Sequence, residues 1–242
     1  MAGECEVIIT SLPSVAAFEA ATQGPGGIAA AGGGRTVIEA STLPIADKQR
    51  AHDALREAGT VLLDCPLSGT GAQAASGDLV VLGSGDKAAY EACIPVFKAF
   101  SRSQYYLGKF GNGSAMKFVA NLLVAVHNVA AAEALVLGRK AGLDTETIVE
   151  VLSDGAGGSR MLEIRGPLMT KGEYDEPTMK IDVWQKDMTT IAAFARSLGC
   201  PTPLFSATAP IYSAAQNQGR GKQDTAAVCA VLEEMAGIVR PE

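Results

Sequence analysis

The stretch NGSAMKFVANLLVAVHNVAAAEALVLGRKAGLD, residues 112–144, decides how the whole chain is read. Small and apolar residues fill it without a proline, and Gly142, Leu143 and Asp144 punctuate its far end, so it reads as one long helix over 113–142. The helix also divides the chain by composition. Before it, EVIITSLP (6–13), TVIEAST (36–42), TVLLDCPLSG (60–69), LVVLGSGD (79–86) and QYYLG (104–108) read as strands. Between them, SVAAFEAAT (14–22), PIADKQRAHDALREAG (44–59) and DKAAYEACIPVFKAF (86–100) have helical spacing. This alternation predicts α/β architecture with a largely parallel sheet buried on both faces. After the long helix the strand signal disappears, and helices are expected at 144–154, 157–170, 183–199, 203–218 and near 222–238. The expected layout is an α/β domain over residues 1–110 and an all-α domain over 111–242.

Composition narrows the class. The chain is 48% hydrophobic and 19% charged, which is the balance of a soluble globular protein. A net charge of −6 with no Lys/Arg block argues against nucleic acid as a partner. Five cysteines, odd in number, widely spaced and without C-x-x-C, fit reduced thiols in a cytoplasmic protein. The opening MAGECEVIITSLP has neither a basic n-region nor a long apolar run, so no signal peptide is expected. Residues 118–137 are long enough to span a bilayer, but Asn121, His127, Asn128 and Glu133 interrupt them; a buried helix and no membrane are expected. His52, in a charged helix, is expected at the surface, and His127 and Trp184 in structural positions. The two histidines lack any metal-ligand spacing, so no metal site is predicted.

Two segments carry chemistry. On a helix, Lys117 and Asn121 share a face, and the preceding Gly111, Gly113, Ser114 and Ala115 leave room for a ligand near the first turn. A partly buried lysine is a serviceable acid–base group, and Asn121 would hold a substrate oxygen or orient the ammonium. Spacing alone favours a lysine whose stem lies along apolar surface while its ammonium stays in water. The second segment, DCPLSGTGAQAASGDL (64–79), follows a strand and so lies at a carboxyl end, where open α/β sheets bind ligands. Ser68, Gly69 and Thr70 offer hydroxyls and N–H groups to a carboxylate, although a plain long turn would look the same.

Together these pieces resemble the β-hydroxyacid dehydrogenases, the family of 3-hydroxyisobutyrate dehydrogenase, tartronate semialdehyde reductase and glyoxylate/succinic semialdehyde reductase. ITSLPS (9–14) resembles the family's strand-end loop, whose Leu-Pro pair, here Leu12 and Pro13, lies against the cofactor. EAST (39–42) resembles the next strand end, where Thr42 would pack near the nicotinamide. DCPLSG (64–69) is similar to the D-x-P-V-S-G-G substrate loop, and GKFGNGSAMKFVAN (108–121) to G-x-x-G-x-G-x-x-x-K-x-x-x-N. WQKDM (184–188) is similar to a K-D-[LM] segment whose lysine, here Lys186, approaches the cofactor. The resemblance implies a partial Rossmann-type parallel sheet followed by a helical domain. It implies NAD or NADP as cofactor and a small 2- or 3-hydroxy acid, or its semialdehyde, as substrate. Hydride would pass between the nicotinamide and the carbon bearing the substrate oxygen, with Lys117 as acid/base. Ser68, Gly69 and Thr70 would clamp the carboxylate, and Asn121 would fix the substrate. The apolar faces of the long helix predict a homodimer or homotetramer.

The departures are specific. Thr70 replaces the loop's second glycine, Gln73 another glycine, and Met179 an aromatic near the substrate. Ala120 and Val124 stand where the 6-phosphogluconate branch carries histidine and glutamate, which disfavours that branch. No strand–G-x-G-x-x-G–helix turn is present; GNG at 111–113 and GSG at 83–85 continue wrongly. Relative to the family, the first βαβ unit and its flank are missing, about sixty residues at ~30 per unit. The expectations that follow are weakened nicotinamide binding, an uncovered sheet edge, and a rival role in oligomerisation or partner binding without catalysis.

Overall fold

The computed structural model describes residues 5–69 and 71–240. They form two compact units that divide between Val119 and Ala120. In the first unit, β1 (Val7–Thr10), β2 (Thr36–Glu39) and β3 (Val61–Asp64) lie side by side and parallel, with Val7 opposite Thr36 and Thr36 opposite Val61. The chain then turns through β4 (Leu67–Ser68), antiparallel to β5 (Leu79–Gly83), and β5 pairs in parallel with β6 (Ser101–Tyr106). A bridge between Asp64 and Ser84 joins the end of β3 to the end of β5.

Side chains alternate across a strand, and both faces are covered. Val37 and Leu62 point to one face and pack with Phe18 of α1 (Val15–Gln23) and Leu55 of α2 (Ile45–Glu57). Ile38 and Leu63 point to the other, with Cys65, Val81, Tyr90 and Phe97. Hence the middle residues of β2 and β3 are apolar at successive positions rather than at every second one. β1 pairs only with β2 among the described residues, and its Ile9 is 48% exposed.

The helix expected over 86–100 is broken. α4 (Lys87–Ala92) and α5 (Ile94–Lys98) meet at Cys93, because Pro95 has no N–H to continue the ladder. A short helix, α3 (Gly71–Ala75), lies where the sequence suggests only a turn. β6 begins at Ser101 instead of 104; among the described residues it pairs with β5 alone, and an edge strand tolerates the polar Ser-Arg-Ser.

Tyr90 packs over Gly83, where any Cβ would collide with its ring. Its hydroxyl is buried without a hydrogen-bond partner among the described residues, and burial pushes it up to about 12. The neutral hydroxyl therefore contributes stability below the ordinary tyrosine value of ~10, and that contribution is lost as pH climbs through about 12. Tyr90→Phe should keep or raise stability at neutral pH, by up to about 1 kcal/mol, and flatten the alkaline loss. Urea unfolding from neutral pH to pH ~11 checks this.

The long helix is α6 (Asn112–Lys140), 29 residues. By length and composition it could cross a membrane. Its polar Asn121 and Asn128 are nevertheless paired within the second unit, Asn128 with the Tyr212 hydroxyl and the Thr225 carbonyl, each at 2.9 Å. Around it stand α7 (Thr145–Asp154), α8 (Arg160–Lys171), α9 (Ile181–Ser197), α10 (Pro203–Ala215) and α11 (Val228–Met235). Local chemistry sets their ends: the Asp144 and Ser159 side chains cap α7 and α8, and Gly172, at φ +75°, closes α8.

Candidate active site

The first unit is organised around a carboxylate. Asp64, at the end of β3, is fully buried, yet every lone-pair direction is used. Its Oδ1 accepts from Lys48 Nζ at 2.9 Å and from the Ser114 hydroxyl at 2.7 Å. Its Oδ2 accepts from the Ser114 N–H at 2.8 Å and the Ser84 hydroxyl at 3.2 Å. Lys48, also fully buried, donates to the Ser41 carbonyl at 2.6 Å and lies 3.9 Å from Glu39 Oε1. Glu39 accepts from the Thr10 hydroxyl and from the Ser41 N–H, and the Ser41 hydroxyl accepts from the Leu12 N–H at 2.7 Å. Two buried carboxylates face one lysine. The positive end of α6 and this set of donors offset the surplus negative charge.

The same contacts fix the start of α6. Gly111 takes φ +92°, and the first four N–H groups all find acceptors: Asn112 the Lys109 carbonyl, Gly113 the Ser84 hydroxyl, Ser114 Asp64, Ala115 the Gly111 carbonyl. Gly113 admits no side chain, since a Cβ would fall 2.5 Å from the Asp64 carbonyl oxygen and closer still to that of Leu82. Lys117 follows one turn later, half-buried. The glycines that suggest ligand access from sequence thus also serve close packing of α6 on the strand ends.

β3 continues through Cys65 and Pro66 into Ser68, which is half-buried, and Gly69, which takes φ +131°. A Cβ at Gly69 would lie 2.6 Å from Leu79 Cδ2, so this glycine is fixed by both conformation and space. Thr70 lies outside the described residues. Leu12 is half-buried and tied through Ser41 to the strand end that carries half-buried Thr42; Pro13 is exposed. The structure therefore gathers Leu12, Thr42 and the 64–69 segment at the carboxyl ends of adjacent parallel strands.

In the second unit, Asn121 is buried and its Nδ2 donates to Asp187 Oδ2 at 2.9 Å. Lys186 Nζ stands 3.5 Å from Asp187 Oδ1. Asn121 and Lys186 are thus brought together through Asp187, a buried carboxylate that sequence reasoning passes over except as the second letter of K-D-M. Met179 is held by Asp224, which accepts from the N–H of Thr178 at 2.8 Å and of Met179 at 3.3 Å and pairs with Arg165 at 3.3 Å. His52 is only partly exposed. Its ring packs half-buried on Phe110, centroids 4.4 Å apart, because α2 turns it toward the segment entering α6.

The comparisons with known proteins match the two parts of the chain to two different models. Residues 1–108 match the model for the NAD binding domain of 6-phosphogluconate dehydrogenase. Residues 111–232 match that for the NAD-binding domain of NADP-dependent 3-hydroxyisobutyrate dehydrogenase. An L-threonate dehydrogenase from Cupriavidus necator is 35% identical over 96% of this chain and 78% of its own length. Glyoxylate/succinic semialdehyde reductase 2 of Arabidopsis thaliana is 34% identical over 83% of this chain and 56% of its own length. The crystal structure of a 3-hydroxyisobutyrate dehydrogenase from Salmonella typhimurium superposes with a TM-score of 0.87 at 32% identity, covering 96% of this chain and 81% of that one.

Proposed function

The chain belongs to the β-hydroxyacid dehydrogenase family, whose cofactor is NAD or NADP, and we propose that it interconverts a small 2- or 3-hydroxy acid and its oxo form with Lys117 as acid/base. One observation carries most of the weight. The start of α6 is bonded to the end of β3, so the helix bearing Lys117 begins at the strand end that continues into Ser68 and Gly69. The residues present fit the cofactor's reactive end: half-buried Leu12 and Thr42 follow the carboxyl ends of β1 and β2, where open α/β sheets take their ligands.

When bound, a nicotinamide supplies or accepts hydride. The protein's part is to place and protonate. The Ser68 hydroxyl and the Gly69 N–H, with Thr70, hold the substrate carboxylate. Lys117 gives its proton to the oxygen as it gains negative charge in reduction and takes the proton back in oxidation. Asn121, its amide oriented by Asp187, steadies the substrate, and Lys186 approaches the cofactor. Exposed Met116, Val119, Leu123 and Leu137 along α6 support self-association as a dimer or tetramer. All five cysteines are free, in keeping with a cytoplasmic protein.

The test is a substrate panel with both nicotinamides: L-threonate, 3-hydroxyisobutyrate, glyoxylate and succinic semialdehyde, followed by nicotinamide absorbance. Turnover of at least one, abolished in Lys117→Ala, is expected. Nicotinamide binding without turnover of any hydroxy acid or semialdehyde would instead favour a role in oligomerisation or partner binding.

A further inference from the structure

We propose that Asp64, held by Lys48, is a positioning residue for Lys117, joining the substrate loop to the helix that carries the acid/base. The proposal rests on the role given to Lys117 above. Asp64 is the last residue of β3, and the chain runs from it directly through Cys65, Pro66 and Leu67 to Ser68. Its carboxylate takes both the N–H and the hydroxyl of Ser114, in the first turn of α6. One buried group therefore fixes the origin of the carboxylate loop and the origin of the helix. A helix is stiff over one turn, so a displacement at Ser114 reaches Lys117 almost undiminished.

Lys48 completes the joint. It holds the Asp64 oxygen that Ser114 also uses, and it bonds the Ser41 carbonyl, next to Thr42. The loop expected beside the nicotinamide is thereby tied to the same carboxylate. Burial makes the arrangement specific: Lys48, Glu39 and Asp64 are all fully buried, so no water can replace a lost partner without opening the core. Gly113 fits the same purpose, for its missing side chain lets the helix start rest directly on the Asp64 and Leu82 carbonyls.

Asp64→Asn keeps an acceptor for the Ser114 N–H but loses the ionic hold of Lys48; Ser114→Ala keeps the fold and loses only the hydroxyl bond. Phe18→Ala, in the core on the opposite side of the sheet from Cys65 and Val81, serves as a control that lowers stability without touching the joint. Two quantities are read. One is the acetylation rate of Lys117 under competitive labelling, measured by mass spectrometry without cofactor or substrate. The other is kcat with its solvent isotope effect. Asp64→Asn and, more mildly, Ser114→Ala should change the Lys117 labelling rate, slow kcat by about 10- to 100-fold, and raise the isotope effect as proton transfer becomes limiting. Phe18→Ala should leave the Lys117 labelling rate and the isotope effect unchanged, whatever its loss in Tm. Equal Lys117 labelling and equal kcat in Asp64→Asn, Ser114→Ala and Phe18→Ala would overturn the positioning role. Full turnover by Lys117→Ala would overturn the acid/base assignment instead, while the labelling rates still report whether Asp64 sets the surroundings of Lys117.

Discussion

Lys117→Ala should lower kcat by about 10²- to 10⁴-fold, the range that a positioned acid–base group contributes, and leave the affinity for nicotinamide nearly unchanged. The residue is half-buried on the second turn of α6, beyond the four N–H groups that anchor the helix, so its removal touches none of those bonds. Stability should therefore change little. Lys117→Arg separates two roles. Its guanidinium keeps the positive charge but does not give up a proton near neutrality, so kcat should stay low. If the charge alone mattered, arginine would restore activity. Steady-state kinetics of the three proteins, with Tm measured alongside, decides between these outcomes.

Asp64→Ala should destabilise the protein by about 3–5 kcal/mol, the cost of stranding one member of a buried ion pair. Lys48 would be left fully buried with Glu39 at 3.9 Å and a single carbonyl, and the Ser114 N–H and hydroxyl would lose their acceptor. A loss of that size consumes much of the ~5–15 kcal/mol that holds a domain folded. The double variant Lys48→Met with Asp64→Leu removes both charges together and should recover a large part of the loss. Urea denaturation of the single and double variants measures the difference; a single variant as stable as the parent would show that the pair adds nothing.

The parallel strands, the long helix and the order of an α/β part before a helical part are legible because each rests on local periodicity. The residues proposed for the site, Leu12, Thr42, Ser68, Lys117, Asn121 and Lys186, stand out only through the family resemblance of the short runs that hold them. The network around Asp64 is not legible. Its members Lys48, Asp64 and Ser114 are separated by 16 and 50 residues, and no local pattern connects them. Lys48 is actively misleading, for the run DKQRAHDALRE looks like a solvated helix face, yet it contributes a fully buried lysine and a half-buried histidine. Asp187 hides in the same way beside Lys186. The five-residue α3 is too short for any periodicity to show, and the split at Cys93 depends on the single proline at 95.

Whether Lys117 moves the proton in a hydride-transfer reaction is decided by chemical rescue. Lys117→Ala is assayed with the best substrate of the panel in the presence of small primary amines. Turnover should return in proportion to amine concentration and, at fixed size, vary with amine basicity. Turnover of Lys117→Ala at the parent rate, or a low rate that no amine raises, would contradict that role of Lys117.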